Sequence, residues 1–460
     1  MSRRSTVDMT TGPFLKKILV FALPLMLTDV LQLVYNSADV IVIGRFAGST
    51  SLAAVGSTGA LINLILNLFI GLATGTGVVT AHYIGAGNVT ELRKSVHTAM
   101  TLSLFCGLFV GVFGFFCSKT FLSWMGTPDD VLPLAALYLK IYFLGAPASL
   151  VYNFGAAIVR ANGDTKRPLY ILSFTGIINV LLNLLFVIKF NLDVAGVAIA
   201  TITAQYISAA LIVVRLTHLD NACRVSFKSL GFDKPELKRI AKIGLPAGIQ
   251  SSLFSVSNVL IQSTVNSFGP LAMAGNAAAA NADSFLYTSM NAVAQTTMTF
   301  SSQNMGAKRY TNIKKIYTEC VITTIVIGVS LGAVATVFAE PIISIFSKDS
   351  DVIAYGVNRL VVMASTYFTS GLMNVSGCQL RGMSRSVEPM VITLLGACGL
   401  RIAWIYLVFP HDPTLFNLYI SYPITWTITF LTLLICYFYH YKKLIRKQNS
   451  PIENSELREQ

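Results

Sequence analysis

Long apolar runs separated by short polar turns fill almost the whole chain. Twelve runs are long enough to cross a bilayer, near 14–46, 52–83, 93–117, 131–159, 168–190, 194–216, 238–268, 273–305, 314–338, 352–380, 388–409 and 415–441. A helix needs about 17–25 apolar residues to span, and only a helix or a closed barrel satisfies its backbone in hydrocarbon. The pattern therefore predicts an all-α polytopic membrane protein. Several runs exceed the minimum, which predicts tilt or ends that project beyond the bilayer.

The runs fall into two sets of six. The stretch from Arg160 to Pro168 returns 221 positions later from Arg381 to Pro389. The same offset carries Gly85-Ala86 onto Gly306-Ala307, Arg93-Lys94 onto Lys314-Lys315 and Asp130-Val131 onto Asp351-Val352. With one residue of slip, Leu23-Pro24 maps onto Leu245-Pro246. Six spans per repeat is even, so both halves enter the membrane in the same sense, a parallel repeat about an axis along the membrane normal. The expected layout is two pseudo-symmetric six-helix lobes. An N-terminal segment covers 1–13, a first lobe 14–216, a linker 217–237, a second lobe 238–441 and a tail 442–460 with a disordered end.

Composition supports this. Of 460 residues, 54% are hydrophobic and 12% charged, against about 25% charged in an average soluble protein. The net charge of +13 could suggest nucleic acid, but 27 of the 34 lysines and arginines collect at one set of turns and the two termini. That is a positive-inside distribution, and it places both termini in the cytoplasm with no nucleic-acid partner. The first run is too long for a signal-peptide core and lacks a small-residue cleavage site, so the first span itself is expected to target the chain. The seven cysteines form no C-x-x-C pair and read as small hydrophobes.

The candidate chemistry lies inside the spans. Asp29, Gln32, Asn36 and Asp39 follow one another at steps of 3, 4 and 3, one face of the first helix. Carboxylates within spans are costly and usually face a cavity or a partner. Desolvation lets such a group take up a proton near neutral pH, which a proton-coupled carrier requires. The fifth span adds Asn179 and Asn183, and the sixth adds Thr201 and Gln205, each pair one turn apart. These oxygens could support a carboxylate or ligate Na+, although such groups more often only bond across helices. In the second half, Asn258, Gln262 and Asn266 recur at steps of four, and Asp283 is the clear intramembrane acid. Phe254, Phe285 and Met290 near it would suit an organic cation, or simply pack. Arg401 is expected to pair with a carboxylate or a helix carbonyl end. Pro24 and Pro246 each remove one backbone hydrogen bond at matching places and are candidate hinges.

No phosphate-binding G-x-x-x-x-G-K loop, no Ser-His-Asp set and no H-E-x-x-H motif is present, so the sequence points to neither an ATPase nor an enzyme, and to no cofactor. Gly75-Thr-Gly77 lies inside a span and reads as helix packing.

Beside these readings, the sequence resembles the MATE (multidrug and toxic compound extrusion) family, in its bacterial form, nearly end to end. The resemblance rests on Gly12-Pro13, Phe21 to Pro24, Tyr35 to Gly44, Ala53 to Gly56, Tyr83 to Gly87, Arg160 to Pro168, Gln303 to Ala307 and Arg381 to Ser384. Each motif is weak alone, but eight in order at these spacings are specific. The resemblance implies a two-lobe, twelve-helix secondary antiporter in the bacterial cytoplasmic membrane. It would export lipophilic organic cations as a monomer, against inward H+ or Na+, by rocking of the lobes and bending of the first helix. By resemblance, Asp39 matches the acid that binds the coupling ion, Asn179 and Thr201 match its polar neighbours, and Pro24 matches the proline where the helix bends. Na+, if used, would sit at Asp39, Asn179 and Thr201. Asn183 joins this coupling set, but many members carry an aspartate there. Asp29, Gln32, Asn36, Gln205, Asn258, Gln262 and Asp283 are then the candidate cavity residues.

Two other readings remain open. A lipid-linked saccharide flippase of the wider superfamily would usually show a more basic cavity and extra spans. A channel or receptor fits poorly with a two-lobe repeat that has no soluble domain.

Overall fold

A computed structural model describes residues 7–448. The ends of the expected N-terminal segment and tail, 1–6 and 449–460, lie outside the described residues. Among the described residues there is no strand, and fifteen α-helices form the fold. The first half holds α1 (Phe14–Phe46), α2 (Ser49–Ala86), α3 (Val89–Trp124), α4 (Leu132–Leu144), α5 (Ala146–Ala161), α6 (Lys166–Leu184) and α7 (Asp193–Thr217). The second holds α8 (Lys234–Asn266), α9 (Pro270–Gly306), α10 (Tyr310–Val337), α11 (Ala339–Ser344), α12 (Ser350–Gly382), α13 (Val387–Thr393), α14 (Leu400–Leu407) and α15 (Leu415–Gln448).

With α4–α5 and α13–α14 joined and the six-residue α11 set aside, these helices reproduce the twelve expected runs. α4 and α5 form one run bent by 46° at Gly145, where Pro147 starts the new helix. α13 and α14 are joined by a π-turn at Leu394–Gly399, and α6 ends in another at Leu185–Lys189. Eight helical runs are long and apolar enough to span by themselves, nine with the bent pair. The other three, α8, α9 and α12, carry the polar residues of the second half, which lowers their hydropathy. α15 continues to Gln448, beyond the expected boundary at 441.

The repeat is written in the backbone as well. Left-handed φ angles occur at Gly48 and Gly269, at Gly87 and Lys308, and at Gly163 and Ser384, each pair 221 residues apart. The turn geometry has been kept where glycine has not. Lys308 and Ser384 hold conformations that glycine adopts without a Cβ penalty.

The chain divides into two compact units. One contains Leu23–Ser255, the other Asp8–Ala22 together with the chain from Val256. The divisions thus fall within α1, beside Pro24, and within α8, rather than at 216 or 237. Both helices run unbroken through their prolines, each over 33 residues. In the first unit, α2 and α8 meet backbone to backbone. A Cβ at Gly71 would fall 2.3 Å from Gly248 N, and one at Gly75 2.4 Å from Ile240 O. The small-x-x-x-small spacing of Gly71/Gly75 and Gly244/Gly248 makes that approach possible. Gly75 therefore packs helices as expected, whereas Gly77 meets only Ala157, at 3.6 Å.

The linker 217–237 is fastened to α3. The Ser226 N–H donates to His97 Nε2 (3.0 Å), the Asp233 N–H donates to Thr98 Oγ1 (3.0 Å), and Phe232 meets Phe105 edge-on at 6.2 Å. All seven cysteines are free thiols, five of them buried.

Candidate functional site

The four candidate coupling residues converge in the first unit. α1 delivers Asp39, α6 delivers Asn179 and Asn183 one turn apart, and α7 delivers Thr201. Asn183 Nδ2 donates to Asp39 Oδ1 at 2.5 Å, and Thr201 Oγ1 lies 3.5 Å from Asp39 Oδ2. Asn179 bridges the set at 3.4 Å to both Thr201 Oγ1 and Asn183 Nδ2. Asn183 is fully buried and Asn179 nearly so. The contact of α1 with α6 is set one turn earlier, where the Tyr35 hydroxyl donates to Ser173 O at 3.2 Å and the Tyr35 ring occupies the place of a side chain at Gly176.

This arrangement leaves one acceptor unused. Asn183 Oδ1 is buried with no hydrogen-bond partner, and an orphaned buried acceptor is costly unless a proton or an ion meets it. With the Asp39 carboxylate, Asn179 Oδ1 and the Thr201 hydroxyl it makes an all-oxygen set of the hardness that suits H+ or Na+. Among the described residues no cluster of three or more His, Cys, Asp or Glu exists that could hold a transition metal.

The remaining candidates are placed differently from one another. On α1, Gln32 and Asn36 are exposed and Asp29 is half-buried. Gln205 of α7 sits at the α4–α5 bend, where a Cβ on Gly145 would fall 2.3 Å from its Oε1. Pro24 is buried, and Thr28 Oγ1 donates to its carbonyl at 2.7 Å. Pro246 lies within the α2–α8 seam, between Gly244 and Gly248.

In the second unit, Asn258 is exposed, while Gln262 joins a chain of amides. It donates to Asn266 Oδ1 at 2.9 Å and accepts from Asn276 Nδ2 at 2.7 Å. Arg359 Nη1 donates to the Asn276 carbonyl at 2.6 Å, and Arg359 pairs with Asp283 at 3.1 Å. Arg359 is buried in α12, where it neutralises Asp283. Sequence reasoning missed this partner because the two lie on different helices and no local spacing links them. Met290, a candidate cavity neighbour, is packed against Gly371, where a Cβ would fall 2.5 Å from its sulfur. Arg401 lies among aromatic side chains. Its guanidinium lies over Tyr422 (4.2 Å to the ring centre) and Trp426 (5.5 Å) and donates to Thr425 Oγ1 at 3.2 Å. Aromatic faces and a hydroxyl accommodate this buried cation.

Several known proteins resemble this chain. The probable multidrug resistance protein YpnP of Bacillus subtilis is 27% identical over 400 residues, covering 86% of this chain and 88% of the relative. A protein of Shewanella oneidensis named FAD transporter is 24% identical and covers 84% of this chain and 86% of its own. Among solved structures, a crystal structure of MATE in complex with MaL6 superposes with a TM-score of 0.91 at 20% identity, over 97% of this chain and 100% of that one. An outward-facing multidrug resistance MATE family transporter of the MOP superfamily gives 0.90, also at 20% identity, over 97% and 100%. Both show the twelve-helix fold. The sequence profile described as MatE matches residues 24–185 and again 246–407, once in each half of the repeat. With the two matches together covering most of its length, the chain belongs to the MatE family of membrane transporters, which are not enzymes.

Proposed function

We propose that this multidrug-type transporter is a secondary antiporter that exports organic cations in exchange for H+ or Na+. The observation that carries the proposal is the convergence of Asn183, Asn179 and Thr201 on the Asp39 carboxylate. A single half-buried carboxylate surrounded by neutral oxygens changes its net charge when an ion binds. It can therefore favour one conformation when charged and another when neutralised, to the extent that its affinity differs between the two. Pro24 supplies the responsive element. It stands on the same helix 15 residues before Asp39, leaves a backbone carbonyl of the preceding turn without its helical donor, and lies at the division between the compact units. In this reading, α1 straightens or bends at Pro24 as Asp39 is charged or neutral.

In this reading the chain lies in the bacterial cytoplasmic membrane as a monomer, with both termini in the cytoplasm. The FAD-transporter relative favours a second reading, in which the exported compound is an anionic cofactor. Proteoliposomes test both. Efflux of a cationic dye and of FAD would be followed under separately imposed pH and Na+ gradients. Dye efflux that follows one gradient in the parent protein and is lost in Asp39→Asn is the expected result. Undiminished coupled export by Asp39→Asn would remove the ion site, and transport of FAD alone would replace the substrate class.

A further inference from the structure

The turn that opens α10 differs from its counterpart in the first half, and a cavity lies beside it. At the start of α3 the turn satisfies itself. Asn88 Oδ1 accepts the Glu91 N–H at 3.1 Å, and Glu91 pairs with Lys94 at 3.1 Å. The offset of 221 puts Arg309, Asn312 and Lys315 in those three places, and Lys308 in the place of Gly87. At α10 the capping position is therefore held by Arg309, whose side chain makes no cap, and the first turn carries no acid. Relative to α3 the turn has gained two cations and lost an anion.

The cavity has a volume of about 500 Å3. Residues 10–12, ahead of α1, form one wall, and Lys308, Arg309 and Lys315 form another. Gln448, where α15 ends, also lines it. All of these belong to the second unit. None of the described residues that line the cavity is acidic. Arg309 Nη1 fastens the first wall by donating to Thr10 O at 2.7 Å, and Asn312 Nδ2 donates to the same carbonyl at 3.1 Å. Asp8, next to that wall in sequence, accepts from Thr10 and Thr11 and pairs with Lys17 at 3.7 Å. Glu319, one turn beyond Lys315, offsets one of the three cations. The surplus is positive, and such a surplus attracts an anionic partner.

The chain itself supplies one. Beyond Gln448 the sequence carries Glu453, Glu456 and Glu459 at steps of three, against the single cation Arg458. Pro451 has no N–H with which to continue α15. Five residues extend up to about 17 Å, which is more than a cavity of this volume measures across, so Glu453 is within reach of its walls. A tether this short gives the acids an effective concentration of about millimolar, at which weak ion pairs suffice.

We propose that the basic cavity at the start of α10 is the docking site of this chain's own acidic segment 449–460, whose glutamates pair with Lys308, Arg309 and Lys315. The docked segment would join the end of α15 to α10 and to the residues ahead of α1. The inference does not depend on what the transporter carries or on the ion that drives it.

The test uses the full chain in phosphatidylcholine nanodiscs. Five of the seven cysteines are buried, so Cys117→Ser and Cys436→Ser remove the accessible thiols. Spin labels then go on Thr318→Cys, an exposed position of α10, and on Ser455→Cys. A short, narrow distance population is expected at low salt. Each exposed ion pair contributes roughly threefold. Glu453→Gln with Glu456→Gln, or Lys308→Gln with Lys315→Gln, should therefore lower the ratio of docked to free segment roughly tenfold, and added salt should lower it too. Arg309 stays in place because it holds Thr10. Reversing both sets together, Glu453→Lys with Glu456→Lys and Lys308→Glu with Lys315→Glu, should restore the short distance. A broad distribution in the parent that neither charge set nor salt alters would overturn the proposal. So would loss of the short distance in Lys442→Gln with Lys443→Gln, outside the cavity, but not in Lys308→Gln with Lys315→Gln. Phosphatidylglycerol retained by the parent and lost in Lys308→Gln with Lys315→Gln, while the segment stays free, would give the cavity to a lipid headgroup instead.

Discussion

The Tyr35 ring occupies the space that a side chain at Gly176 would need: a Cβ there would fall 1.9 Å from Tyr35 Cε2. This contact, with the bond from the Tyr35 hydroxyl to Ser173 O, holds α1 against α6 one turn before Asp39 meets Asn183. The ability of Asp39 to reach its partners therefore rests on a glycine that takes no part in the chemistry.

Replacing that glycine should misplace the acid. Gly176→Ala forces the Tyr35 ring aside at a cost of about 1–3 kcal/mol, the usual range for overpacking. Thermal unfolding in detergent should show the loss, and Tyr35→Ala in the same chain should recover part of it. Equal stability of Gly176→Ala and the parent would contradict the contact.

Asn183 should matter to coupling more than to folding. A hydrogen bond to a charged group contributes about 1.5–3 kcal/mol, so Asn183→Ala should weaken gradient-driven efflux by at least about tenfold. Asn183→Asp adds a second carboxylate beside Asp39 and should raise the number of ions exchanged per substrate, read from reversal potentials in proteoliposomes.

The Asp283–Arg359 pair should behave as a buried unit. Its side chains are 6% and 9% exposed, so removing one partner strands a charge. Asp283→Asn or Arg359→Met alone should each cost about 3–5 kcal/mol, and the double variant should recover most of it. Additive losses in a double-mutant cycle on thermal stability would show that the pair is not coupled.

Lys308 and Ser384 hold left-handed turns that their counterparts Gly87 and Gly163 adopt freely. Lys308→Gly should raise stability by about 1 kcal/mol, because the Cβ penalty disappears. Gly87→Lys, the reciprocal change, should lower it. The midpoint of thermal unfolding measures both, and a destabilised Lys308→Gly would mean that the lysine side chain outweighs the strain.

Much of this protein was legible in its sequence, because hydrophobic length and repetition are local properties. Run lengths set by bilayer thickness predicted the helices, and a constant offset of 221 predicted two repeated halves, an offset that the left-handed turns at Gly48 and Gly269 share. Helical spacing placed Asp39, Asn179, Asn183 and Thr201 on candidate faces. Spacing, however, says which face of a helix a residue occupies and not which residue meets it. Only the tertiary structure decided that Asn183 donates to Asp39, that Arg359 lies beside Asp283, and that Glu236 accepts from Tyr83, 153 residues away. These partners arise from close approach between helices, made possible at Gly176 and Gly248 by the absence of a Cβ, and that approach has no periodic signature along the chain.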